Sequence, residues 1–299
     1  MKYPKGIIPA VPAIFGVTDQ ILKDEIGNVV SFLSKAKCNG FALNLIGGEF
    51  YKLGEREKEE MLKIGVDTAG SGLLVCAGIS TPGTTEACRM AKIATDIGVD
   101  CLIVMPPYYN PTGAYSRRAI VDHFSSIANC TDLPFLIQDF NYGIPLEILS
   151  RLKREFSNFA GLKIEGKRTT DVQRRIRKVR NEMGEVFSIL GGMLGSNLVN
   201  EIASGASGTI PGSSLADFIL MEYNTAFRNS IVNQDLHTIL KEILKTESQK
   251  IKYFVYVEKV ILQHRGIIEH TVCRKPYDYP GRKLMDRIIS DVDELVSAC

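Results

Sequence analysis

Short, continuous apolar runs recur along the chain, separated by longer stretches in which apolar residues return every three or four positions. The runs are GIIPAVPAIF (6–15), GFALNLI (40–46), LLVCAGI (73–79), DCLIVM (100–105), PFLIQDF (134–140), FAGLKI (159–164), VFSILGG (186–192) and SGTIPG (207–212). Runs without polar alternation suit parallel strands buried on both faces. Between them, segments such as EREKEEMLKIGVDTAG and TTEACRMAKIATDIG carry the helical period. The second reaches Ile97-Gly98, and glycine suits a left-handed helix C-cap. Eight runs with seven intervening helices, and an eighth helix starting near Ser214, predict an α/β fold of the (β/α)8 TIM-barrel type. A doubly wound open sheet is the structural alternative, but its nucleotide fingerprint is missing. The barrel, with the active site, is expected to span residues 1–230. Residues 231–299 read as a C-terminal helical extension packed on it, through LHTILKEILK, SQKIKYFVYVEKVILQHRG and GRKLMDRIISDVDELVSA.

Composition narrows the function classes. The 299 residues carry a formal net charge of +2, which calls for neither nucleic acid nor an anionic membrane as partner. No apolar run approaches the roughly 18–20 residues of a transmembrane helix. The start, MKYPKGIIPAVPAIFG, has basic residues before an apolar run, as a signal peptide does. Its three prolines and lack of a small-residue cleavage site favour a first strand instead. Seven scattered cysteines without a C-x-x-C pair fit reduced thiols and a cytoplasmic location. The run GKRTTDVQRRIRKVR (166–180) has seven basic residues and one acidic. Val172, Ile176 and Val179 form an apolar stripe within it, so its arginines read as the solvated face of a helix, not a nucleic-acid patch.

In a parallel barrel the reactive side chains sit at the C-terminal ends of strands and in the loops that follow. That rule selects Gly47, Gly48 and Glu49, the PPYYNP segment (106–111), Gln138 and Asp139, Lys163 and Glu165, and the glycines after strands seven and eight. Lys163 leads, because a lysine among Phe159, Ala160, Leu162 and Ile164 is costly to bury unless it is paired or loses its proton. Leu162 and Ile164 share one side of the strand; Lys163 and Glu165 share the other. A neutral amine in an apolar cavity attacks a ketone, and the protonated imine then serves as an electron sink. From position alone, that use and a structural ion pair with Glu165 or Asp139 both stay open. The glycines of SILGGMLGSN and SGTIPGSS fall where many barrels bind phosphate, which makes a phosphosugar or flavin-type barrel a rival. The four histidines show no ligand spacing, so no metal site is expected.

Four segments, in order, resemble the dihydrodipicolinate synthase / N-acetylneuraminate lyase family of Schiff-base class I aldolases, from Gly6 to about Leu295. GEFYKLGEREKEE resembles the family's G-E-x-x-x-L-x-x-x-E turn and helix, and PPYYNP its (T/P)-P-Y-Y-N-x-P loop. GLKIEG resembles the strand with the Schiff-base lysine, and GASGTIPG the G-x-x-G-x-(I/M)-x-G strand. The resemblance implies a lyase with a 2-keto acid substrate, often pyruvate, bound as an imine without a cofactor. It also implies a homo-oligomer, dimer or tetramer. By it Lys163 matches the nucleophile, and Tyr109 matches the tyrosine that reaches a neighbouring subunit's site. Gly47 and Gly48 sit in the carboxylate-binding turn, and Ile210 lines the keto-acid pocket.

Departures from the family pattern are equally informative. Ile46 and Gly47 stand where the family has two hydroxyl residues, Gln138 where it has the relay tyrosine, and Gly143 where it has an arginine for a distal carboxylate. These changes point away from the lysine-biosynthesis reaction itself. Glu165 is the first candidate for the missing general acid/base, followed by Asp139 and Tyr109. GEFYKL also resembles a ketodeoxyglucarate branch of the family, giving a keto-deoxy sugar-acid dehydratase or aldolase as a second reading. A third is a paralogue that binds a keto acid or sugar acid without turning it over.

Overall fold

The computed structural model describes residues 3–70, 72–108, 115–140, 143–166, 168–227, 238–244 and 251–298. All eight expected strands are present, and all pair in parallel: β1 (Gly6–Ile7), β2 (Gly40–Leu43), β3 (Leu74–Gly78), β4 (Cys101–Val104), β5 (Phe135–Phe140), β6 (Phe159–Glu165), β7 (Ser188–Gly191) and β8 (Gly208–Thr209). Their order is β1-β8-β7-β6-β5-β4-β3-β2. Ala10 bridges both Ala42 and Gly212, so the sheet closes on itself and the open-sheet alternative falls. The first strand is shorter than its apolar run because Pro9 and Pro12 have no N–H to give a ladder. Pairing continues around them through Ala10 N to Pro211 O (2.8 Å) and Val11 N to Ala42 O (2.9 Å).

The helices α1 (Lys23–Lys35), α2 (Glu55–Ala69), α3 (Thr84–Ile97), α4 (Arg117–Asn129), α5 (Leu146–Glu155), α6 (Thr169–Met183), α7 (Leu198–Ile202) and α8 (Ala216–Phe227) follow the strands. Gly98 ends α3 at φ 93°, the left-handed cap expected from the sequence. Side-chain parity separates two apolar regions. Phe41, Leu43, Phe135, Ile137, Leu162 and Ile164 face the helices, while Ala42, Cys76, Cys101, Leu136 and Leu190 fill the barrel. Leu162 and Ile164 therefore point outward, and Lys163 between them points in.

The arginines of the basic run behave differently from the sequence expectation. The apolar stripe of α6 is buried as predicted, but three arginines are not a freely solvated face. Arg180 donates to the carbonyls of Gly205, Gly184 and Phe187 and to Ser207 Oγ, and Arg177 to Ser204 Oγ at 3.1 Å. Arg175 pairs with Asp139 at 3.0 Å. A guanidinium has five donors in a fixed fork, and here it satisfies loop carbonyls that no strand reaches.

Beyond α8, helices Phe254–His264 and Arg282–Ser297 pack against the barrel. Their Val257, Ile261, Leu262, Ile288 and Val292 belong to the same apolar core as the barrel helices. The expected boundary near residue 230 lies outside the described residues. Among the described residues, no helix is long and apolar enough to cross a membrane.

Candidate active site

Strand pairing sets Gln138 beside Lys163 and Phe140 beside Glu165. Lys163 is only 6% exposed, so its amine needs a partner. Its Nζ lies 3.2 Å from Glu165 Oε2. The same oxygen accepts from Gln138 Nε2 at 2.6 Å, and Glu165 Oε1 accepts from the Met193 N–H at 3.0 Å. The loop after β7 delivers that N–H through an unusual backbone: Met193 and Leu194 are both left-handed, at φ 47° and 62°, and Gly195 follows at 86°. Non-glycine residues in that region carry strain and cluster at functional sites.

The amine opens into a cavity of about 380 Å³, within the lower part of the range of ligand pockets. Barrel residues Ile46, Gly47, Gln138, Phe140, Leu194 and Ile210 line it, and the C-terminal extension adds Phe254, Val255, Glu258 and Tyr277. Glu258 meets the backbone just ahead of α8. Its Oε2 accepts the Ser214 N–H at 2.9 Å, so a built-in carboxylate occupies the amide that would meet a phosphate. Burial nonetheless pushes the Glu258 carboxyl above the usual range.

The family model for the dihydrodipicolinate synthetase family matches residues 3–289. The chain belongs to that family. Among its relatives, an uncharacterized DapA-like lyase of Thermococcus onnurineus is 26% identical over 95% of this chain and 97% of its own. A 4-hydroxy-tetrahydrodipicolinate synthase of Methanothrix thermoacetophila is 27% identical over 81% of each. The crystal structure of dihydrodipicolinate synthase from Aquifex aeolicus superposes with a TM-score of 0.87 at 22% identity, covering 97% of this chain and 98% of that one. Ruminococcus gnavus sialic acid aldolase gives 0.87 at 18% identity, covering 98% of both. These structural likenesses show the fold. The relatives are named as lyases, synthases and an aldolase, and the chain is a lyase-family protein.

Within this dihydrodipicolinate synthetase family member, five sequence-predicted residues meet at one cavity: Lys163, Glu165, Gln138, Gly47 and Ile210. Gly48 sits one step behind, buried, with its N–H on Leu45 O at 2.9 Å. Asp139 is not brought to the site. It has the opposite parity to Gln138, faces α6, pairs with Arg175 and accepts the Gly143 N–H at 2.9 Å. Tyr109 lies outside the described residues. Glu49 turns inward to a fully buried ion pair with Lys259 at 2.7 Å and a second with Lys52 at 3.0 Å.

Sequence reasoning missed Glu258 and Glu201. Glu201, in the single-turn α7, is 1% exposed, and its Oε2 has no hydrogen-bond partner among the described residues. Burial, and then the charge of Glu165, pushes its carboxyl up to about 8. The glycines ahead of it were the available signal. A Cβ on Gly191 would lie 1.7 Å from Glu201 Oε2, so this glycine leaves room for the carboxyl. Among the described residues, no group of three or more His, Cys, Asp or Glu side chains is placed to hold a metal ion.

Proposed function

We propose that this family member is a Schiff-base-forming lyase or aldolase acting on pyruvate or a related 2-keto acid. The carrying observation is the buried Lys163 amine, in a small cavity, 3.2 Å from a carboxylate held by two further donors. A solved relative in fold, YagE from E. coli K12, is described in complex with pyruvate (TM-score 0.86, 23% identity, 98% of both chains). In this reading Lys163 attacks the keto carbon, and loss of water gives the imine. Glu165 removes a proton from the adjacent carbon to form the enamine, and returns it in the cleavage direction. Gln138 does not titrate; it orients Glu165 where the family's relay has a tyrosine. The Gly47-Gly48 turn receives the carboxylate end of the keto acid at Gly47, since Leu45 O holds the Gly48 N–H, and Ile210 lines the keto-acid pocket. The lysine-biosynthesis reaction itself fits poorly, because Ile46, Gln138 and Gly143 replace the groups that serve it. The same reading includes no cofactor, a cytoplasmic homo-oligomer (dimer or tetramer), and Tyr109 reaching a neighbouring subunit's site.

Incubation with pyruvate and borohydride, followed by mass spectrometry, tests this. The expected result is one adduct on Lys163, absent from Lys163→Ala. Glu165→Gln is expected to keep the adduct but slow turnover by about 10²–10³-fold. No adduct with any of a panel of 2-keto acids removes the enzymatic readings and leaves the non-catalytic binding paralogue. Near-normal turnover by Glu165→Gln removes the assignment of the base.

A further inference from the structure

We infer that the carbonyl partner handled at this site is an apolar aldehyde, one whose side chain is aromatic or aliphatic hydrocarbon. This rests on the Schiff-base reading and adds the class of the second substrate. Among the described residues, the polar groups deep in the cavity are already engaged, and Tyr51, half-exposed at its edge, is the lining residue whose hydroxyl makes no hydrogen bond. Gln138, Lys163 and Glu165 bond to one another, and Glu258 holds the Ser214 N–H. At the rim, Tyr277 Oη accepts the Tyr256 N–H at 3.0 Å, and Lys252, largely exposed, lies 3.7 Å from Asp278. Among the described residues, Ile46, Phe140, Leu194, Phe254 and Val255 give the cavity a largely apolar wall for the part of the substrate beyond the keto acid. A hydrocarbon buried against them gains by leaving water. A polyhydroxylated or anionic aldehyde would leave its polar groups unpaired there, and buried unpaired groups are penalised.

Leu194 adds to this apolar wall. Leucine is unfavourable at φ 62°, yet this position holds one, 8% exposed, against the cavity. The backbone strain is retained at a residue whose side chain offers the site only apolar surface.

The reaction balances with groups already present. The enamine carbon of the keto acid forms a bond to the aldehyde carbon, and the aldehyde oxygen takes a proton to become a hydroxyl. Water then hydrolyses the imine, releasing the 4-hydroxy-2-keto acid and regenerating the Lys163 amine. Cleavage runs the same steps in reverse.

The test compares pyruvate condensation with benzaldehyde and hexanal against glyceraldehyde and succinic semialdehyde, in the wild type and in Leu194→Asn. Asparagine tolerates the left-handed conformation, so the variant keeps the backbone while placing an amide in the wall. The expected kcat/KM for the apolar aldehydes exceeds that for the polar ones by at least about tenfold, and Leu194→Asn narrows the ratio by about tenfold. A pyruvate adduct accompanied by equal or better use of glyceraldehyde or succinic semialdehyde overturns this inference and leaves the Schiff-base reading standing. Absence of the adduct overturns both.

Discussion

A methyl group on Gly192 would lie 2.3 Å from Glu165 Oε1 and 2.4–2.5 Å from its Cγ and Cδ. The backbone there, at φ −162°, is extended and suits any residue. Space alone therefore demands glycine, and the space belongs to the carboxylate beside Lys163. Gly192→Ala is expected to displace Glu165, and a shift of about 1 Å in a reacting group costs on the order of 10²-fold. The expected signature is kcat down by about that factor on the 2-keto acid substrate, with the thermal midpoint little changed. Unaltered kcat would show that Glu165 does not need its present position. Lys163 and Glu165 were legible in the sequence because strand parity is local: two residues apart means the same side. Asp139, one residue from Gln138, has the opposite parity, so its carboxylate meets Arg175 and not the cavity.

At the scale of elements, the C-terminal helix Phe254–His264 both closes the cavity and locks the loop after β2. Lys259 from that helix reaches Glu49, and both side chains are fully buried. Lys259 also donates to Val272 O at 2.7 Å and lies 4.8 Å from the centre of the Phe15 ring. Removing one partner of such a pair leaves a charge without compensation, at a cost of about 3–5 kcal/mol. Lys259→Met is expected to lose stability of that order in urea unfolding, although Lys52 still faces Glu49. A loss below about 1 kcal/mol would mean that Lys52 alone satisfies the carboxylate. The arginines of α6 teach a related lesson. Their spacing marks them as off the apolar stripe, but spacing does not say whether water or loop carbonyls will meet them.

For the whole molecule, stability and pH are tied through Glu201. Its carboxyl titrates at about 8 in the fold, against 4.5 for the ordinary group, because burial and then Glu165 oppose its charge. The unfolded chain thus gives up this proton well before the folded one. The sign follows: the stability linked to Glu201 is fully present below pH 4.5 and is lost as the pH rises toward 8. Each pKa unit corresponds to about 1.4 kcal/mol. Glu201→Gln, which needs no proton, is expected to gain on the wild type between pH 5 and 8 in chemical denaturation. A constant difference across that range would show that Glu201 ionises as freely in the fold as in the unfolded chain. We propose that one unfolding transition serves for this measurement, because barrel and extension share a core.

The sequence by itself determined the order of strands and helices, the count of eight, and that Lys163 and Glu165 share one side of their strand. Those properties follow from periodicity within a few residues. The family motifs then singled out Lys163 among the interior positions. Only the tertiary structure decided what surrounds that amine. The Met193 N–H comes from a left-handed turn 30 residues away, Glu201 from a helix too short to show a period, and Glu258 and Phe254 from an extension whose docking face no local pattern specifies. Barrel closure brings these segments together, and closure depends on long-range pairing such as Ala10 with Ala42 and Gly212.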